Sequence, residues 1–170
     1  RDLAFDSSGN ELYLSDAGQS QILKFGGDQN AVPIFGTQFI PYTTPLTPGS
    51  GGDYFYNNPV GVTVDANYNI YILENDGDRI TKLDASGTFQ WAFGIPGRGV
   101  WREMTDGLNR PQGNPAVDSS GNVYIPDWNN NRVVVLNSQG QYIGSMGNQP
   151  EWFNQFDCPG EVSIGPNGDI

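Results

Sequence analysis

Histidine is absent from all 170 residues, and cysteine occurs once, at Cys158. Without histidine, Ser-His-Asp and Cys-His catalysis and histidine-ligated metal sites are excluded for these residues. A lone cysteine excludes an intrachain disulfide. Its place just before Pro159 reads as a small buried residue. Basic residues are scarce: 8 Lys and Arg stand against 19 Asp and Glu, for a net charge of −11, and the only lysines are Lys24 and Lys82. Such a chain repels phosphate backbones, so no nucleic-acid partner is expected. Apolar runs are short, and no membrane span is expected. Helical periodicity is missing too. With 23 Gly and 12 Pro, no stretch of a dozen residues keeps a 3.6-residue period unbroken.

What the chain has instead is a repeat. An acid is followed 20 residues later by glycine three times, from Asp16 to Gly36, from Glu74 to Gly94 and from Asp127 to Gly147. Inside the ladder the types match: Arg79 and Arg132 stand five residues after their acids, with Gln21 in the first copy, and Ile22, Ile80 and Val133 follow. Each copy has the same front end. Asp6, Asp65 and Asp118 open turn sequences that lead to Tyr13, Tyr71 and Tyr124, and Pro59, Pro111 and Pro159 precede successive units. The front acids are 59 and then 53 residues apart. Short β-branched and aromatic runs bounded by Gly, Asn, Asp and Pro read as strands: Leu3–Phe5, Leu12–Leu14, Gln21–Phe25, Val32–Phe35, Ile70–Leu73, Thr88–Phe93, Asn122–Ile125, Val133–Leu136 and Val162–Ile164. The recurring Asp-rich loops read as hairpin turns rather than metal loops, since every unit needs that turn.

Units of this length with four strands each are the mark of propeller blades. The Pro-x-Gly-Val-x-Val-Asp opening from Pro59 to Asp65, the Gly-Asn-Val-Tyr-Ile strand from Gly121 to Ile125, Asn-Asn-Arg-Val from Asn130 to Val133 and the stretch from Phe153 to Pro159 resemble the NHL-repeat family of β-propellers. The resemblance implies an all-β fold: a portion of a β-propeller with about three four-stranded antiparallel blades plus the start of a fourth. The expected boundaries are 1–36, 59–94 and 111–147, a start at 159–170, and linkers at 37–58, 95–110 and 148–158. The chain opens within one unit and closes within another, so the expectation is a single repeat domain, 1–170, forming an internal portion of a longer chain. The resemblance says little about activity, because one scaffold carries unrelated functions. Lyases and lactonases of this kind use histidine and a central metal, and its RNA binders use a basic face. This chain supplies neither.

In an up-and-down blade, the loops between strands two and three share a face with the inter-blade linkers. That face gathers the variable sequence. It is the expected binding face, with Trp101, Trp128, Trp152 and Tyr54 as candidate contacts for a protein or glycan partner. The repeated Asp16, Glu74 and Asp127, with Arg79 and Arg132, read as structural positions, because a feature present in every blade belongs to the scaffold. Glu74, Asp76 and Asp78 crowd three carboxylates into five residues and form a weak calcium candidate. No cofactor is expected.

The sequence thus leads to a non-enzymatic scaffold in an extracellular or periplasmic setting, meeting a protein or glycan through its linker face. Two alternatives stand beside it. One is a structural building block of an extracellular assembly or fibre, completed by further blades of the same or a neighbouring chain. The other is part of a propeller hydrolase or lyase whose catalytic residues lie in other blades.

Overall fold

Two-residue alternation and turn chemistry set up eleven strands in the computed structural model, which describes residues 2–18, 21–25, 58–95, 105–147 and 156–170. The first sheet runs β1 (Asp2–Phe5), β2 (Leu12–Asp16), β3 (Gln21–Phe25). The second runs β4 (Pro59–Val64), β5 (Ile70–Glu74), β6 (Arg79–Leu83), β7 (Phe89–Gly94). The third runs β8 (Ala116–Val117), β9 (Val123–Asp127), β10 (Arg132–Leu136), β11 (Tyr142–Met146). Each is an antiparallel meander in which chain neighbours pair. The expected strand over Val32–Phe35 lies outside the described residues.

The turns between first and second strands are built alike. Asp65 Oδ1 accepts the N–H groups of Asn67 and Asn69, each at 2.9 Å, and Asp118 Oδ1 those of Ser120 and Asn122, each at 2.8 Å. Donation to a side chain from two residues on is what makes Asp a turn former. The turns between third and fourth strands use Asp84 and Asn137 in the same way. The fourth position of these turns takes positive φ: Gly9 (70°), Gly87 (83°), Gly121 (82°) and Gly140 (78°), with Tyr68 (64°) in the glycine's place.

One correction falls at residues 162–164, where no strand forms. The following turn does form, with Gly168 N–H donating to Gly165 O at 2.9 Å and Gly165 N–H to Asp169 O at 2.7 Å. Gly165 stands where the other units have their bracing Asp and has no side chain to hold the turn. Val162 still reaches the third sheet, its N–H donating to Asn114 O at 3.4 Å.

Sheet packs on sheet by one rule. Residues opposite one another in register share a face. The face of the first sheet bearing Ala4, Tyr13 and Ile22 meets Val62, Val64, Ile70, Ile72 and Leu83 of the second. The second sheet's Tyr71, Leu73 and Ile80 meet Val117, Val123, Ile125, Val134 and Leu136 of the third. The third sheet's Tyr124, Ala116 and Val133 meet Val162 and Ile164. A tyrosine-bearing face thus always meets an aliphatic one. The core lies between the sheets, and a fully buried side chain such as Ile72, Ile80 or Ile125 contributes about 2 kcal/mol.

The first strands approach most closely. Asp2 accepts from Val62 N–H of the second sheet at 3.0 Å and from Asn114 Nδ2, in the segment leading into the third sheet, at 3.1 Å. Thr63 Oγ1 donates to Pro115 O at 2.6 Å. A Cβ on Gly61 would stand 2.1 Å from Gly113 O, so glycine is required where these backbones meet. Among the described residues, no helix is long and apolar enough to cross a membrane.

Candidate functional site on the linker face

The second strand of each sheet ends on the repeated acid and the third begins five residues later, so acid and base face each other in register. Glu74 pairs with Arg79 and Asp127 with Arg132 across their hairpins. All four are buried. The Arg79 guanidinium grips both Glu74 oxygens, with Nη2 donating to Oε1 at 2.9 Å. Arg132 Nε donates to Asp127 Oδ2 at 2.7 Å, and its Nη2 reaches Gly107 O at 2.9 Å. Asn130 Nδ2 (2.8 Å) and Asn109 N–H (2.7 Å) complete the shell around Asp127. Burial pushes the Asp127 carboxyl above its ordinary range, against the opposing pull of Asn130, the Asn109 amide and Arg132. In the first sheet Asp16 and Gln21 are register partners.

A second repeated element joins one unit to the next. Asp78 and Asn131 stand four residues after Glu74 and Asp127, both in the left-handed region at φ 48° and 53°. Asp78 Oδ1 accepts the N–H of Arg110 at 2.7 Å, and Asn131 Oδ1 that of Cys158 at 3.0 Å. Both donors directly precede a unit's proline and themselves have positive φ, 47° and 51°, as does Asn58 at 56°. Such a conformation, strained for non-glycine residues, persists only where the surroundings fix it. Asn75 fastens the same seam, its Nδ2 donating to Pro111 O at 3.0 Å. The sequence signal for this clamp was the residue before each proline together with Asp or Asn four places after the acid.

The calcium candidate comes apart. Glu74 faces Arg79, Asp78 takes the Arg110 amide, and Asp76 accepts from Asn58 Nδ2 at 3.1 Å and pairs with exposed Arg110 at 3.3 Å. Among the described residues no cluster of three or more His, Cys, Asp or Glu is placed to hold a metal ion. Cys158 is exposed rather than buried, because its left-handed backbone, tied down through its own N–H, sits at the surface. Trp128 lies half-buried on a single 3₁₀ turn, Trp128–Asn130, beside exposed Asn129, whose Nδ2 donates to Asn109 Oδ1 at 3.1 Å. Trp101, Trp152 and Tyr54 lie outside the described residues. Trp91 bridges two sheets instead, its Nε1 donating to Ser138 O at 3.0 Å and its ring lying against Gly140. The described part of the linker face is therefore a polar rim of Asn58, Asp76, Asn109, Arg110 and Asn129 with one tryptophan, over a buried layer of ion pairs.

No protein-family model matches the chain, and no curated protein matches it. Solved structures do. A streptogramin B lyase structure superposes with TM-score 0.64 at 20% identity, over 98% of this chain and 45% of that one. Virginiamycin B lyase from Staphylococcus aureus gives 0.64 at 17%, over 98% and 45%. The same enzyme as a catalytically inactive histidine-to-alanine variant with quinupristin gives 0.55 at 18%, over 88% and 41%. Hydrazine synthase of Kuenenia stuttgartiensis gives 0.67 at 12%, over 98% and 39%.

The fold is that of a β-propeller.

The chain spans less than half the length of these structures. The comparison also corrects the expectation of a non-enzymatic scaffold. That reading rested on the missing histidine, yet nearly the whole chain takes the fold of solved structures that include lyases, which are enzymes.

Proposed function

We propose that these blades are part of a propeller enzyme of lyase type whose acid–base group lies in blades beyond residues 1–170. The observation that carries this reading is the superposition of 98% of the chain on the streptogramin B and virginiamycin B lyases. In the lyase structure with quinupristin, the inactive variant lacks a histidine. The present residues contain none. Their contribution is therefore positional. The buried Glu74–Arg79 and Asp127–Arg132 pairs hold the hairpins that carry Asp76, Trp128 and Asn129, and Asp127 and Asp78 take the N–H groups of Asn109 and Arg110 beside them on the linker face. Preorganised polar groups beside an aromatic ring orient a bound substrate. The NHL-type reading of the repeat is supported by the Pro-x-Gly opening and by the turn Asp bound to the strand-two Tyr in the second and third units.

The test is turnover of quinupristin by the whole protein. An elimination that opens a ring leaves the mass unchanged, whereas hydrolysis adds one water. Mass spectrometry after chromatography separates the two. A product of unchanged mass and altered retention is expected. Unreacted quinupristin, together with no ring opening across a panel of other cyclic esters and peptides, overturns the reading. Trp128→Ala is expected to raise KM more than it lowers kcat.

A further inference from the structure

One of the repeated turns lacks its brace. In the turns at Asp65 and Asp118 the carboxylate accepts the N–H two residues on, from Asn67 at 2.9 Å and from Ser120 at 2.8 Å. Gly165 stands at that place in its own turn, so the N–H of Asn167 finds no side chain there. Asn167 is exposed, and neither its main-chain N–H nor its side chain makes a hydrogen bond among the described residues. Backbone bonds alone hold this turn, from Gly168 N–H to Gly165 O at 2.9 Å and from Gly165 N–H to Asp169 O at 2.7 Å. Gly168 follows at φ 83°, where an added Cβ would meet nothing within 4 Å. Nowhere else in the sequence does glycine directly follow asparagine.

We propose that Asn167 is a site of spontaneous deamidation, at which this turn is chemically altered as the protein ages. The main-chain nitrogen of Gly168, after losing its proton to hydroxide or a buffer base, attacks the side-chain carbonyl carbon of Asn167. A C–N bond forms, and the side-chain nitrogen takes a proton from solvent and leaves as ammonia. The cyclic imide then takes up water at either carbonyl. It opens to aspartate or, with the main chain rerouted through the side chain, to isoaspartate. The attack needs a neighbour that lets the nitrogen swing onto the side chain, and glycine hinders it least. It also needs the Gly168–Gly165 bond to open, and an unbraced surface turn opens at low cost. The molecule carries its own control. Asn67 has the same place in its turn, but Asp65 grips its N–H and that of Asn69, and bulky Tyr68 follows. Either product puts a new carboxylate on the turn, and isoaspartate also lengthens the main chain just beyond Val162 and Ile164, which pack on the third sheet. This inference concerns the turn and stands whether or not the protein is a lyase.

The experiment is incubation of the whole native protein at mildly alkaline pH, followed by peptide mapping with mass spectrometry and enzymatic methylation of isoaspartate. Conversion at Asn167 is expected to outrun that at Asn67 by about tenfold or more. Equal rates at the two sites overturn the proposal. Gly165→Asp restores the brace, and its Cβ would meet Asp169 O at 3.6 Å and Asp169 Cβ at 3.8 Å, which are ordinary contacts. This variant is expected to convert Asn167 several-fold more slowly than the parent. An unchanged rate in the folded variant overturns the part assigned to the missing side chain, and the comparison of Asn167 with Asn67 in the parent decides the site itself whether or not the variant folds.

Discussion

The Tyr71 hydroxyl donates to Asp65 Oδ2 at 3.0 Å, tying the second strand of its sheet back to the turn that introduces it. Tyr124 and Asp118 repeat the bond at 3.2 Å, while Tyr13, in the copy with one extra residue, turns to Glu11 Oε2 at 2.9 Å. A tyrosine can thus lie buried in a sheet interface and still satisfy its polar end.

That arrangement gives the protein an alkaline limit. Burial, then the Asp65 charge and the hydrogen bond to it, hold the Tyr71 hydroxyl well above its ordinary value of 10.0. A group whose folded value is raised adds stability below the unfolded value and loses it as pH climbs from there toward the folded value. Stability is expected to decline above about pH 10, and Tyr71→Phe to reduce that slope, to which the raised Tyr13 and Tyr124 also contribute, at a neutral-pH cost of about 1 kcal/mol. Denaturant melts across the alkaline range check this, and an unchanged slope in the variant refutes it.

At the acid end the sign reverses. Burial opposes ionisation of Asp118, but hydrogen bonds from Asn122, Ser120 and Tyr124 outweigh it and hold the carboxyl below its ordinary value of 3.8. Asp84 is lowered likewise, chiefly by Ser86. Stability from these groups is full above the unfolded value and lost as pH falls through the lowered folded values. Asp118→Asn is expected to flatten the acid limb of the stability curve below about pH 4.

The Glu74–Arg79 pair is buried on both sides. Removing one partner strands a charge, so Arg79→Met is expected to destabilise by about 3–5 kcal/mol, and Glu74→Leu with Arg79→Met to recover much of the loss. Chemical denaturation of the two variants decides it, and a double variant no more stable than the single one contradicts the argument.

Tyr68 holds φ 64° where the equivalent turns have glycine. Tyr68→Gly is expected to stabilise by about 1 kcal/mol, a rise in Tm of a few degrees. Gly140→Ala is expected to do the reverse, since its Cβ would meet the Trp91 ring at 2.5 Å.

The repeat made much of this legible before any coordinates. Strand β7 begins one residue after the expected Thr88 and β10 one residue before the expected Val133, because the same turn residues that bound the runs also close the hairpins. Asp2 was not legible. Its bonds to Val62 and Asn114 span 60 and 112 residues, and the second and third units have no acid at its place, where Gly61 and Asn114 stand. Neither was the fate of Cys158, since residue type favoured burial and only the positive φ before Pro159 sends it outward. The linker-face tryptophans drew attention as exposed aromatics, but the groups that shape the described rim, Asn58, Asn109 and Arg110, are ordinary polar residues whose significance depends on which backbone they meet.

The clamp between units has a consequence for how such a chain grows. Asp78 and Asn131 grip a main-chain N–H, which every residue except proline carries, and not a particular side chain. The residue gripped has been free to become Arg110 in one unit and Cys158 in the next. A copied unit therefore arrives already able to dock on its neighbour, and mutation can afterwards rewrite the exposed side chain at each seam without loosening the joint. Variation of the rim side chain and retention of the backbone joint are separated at the level of single atoms.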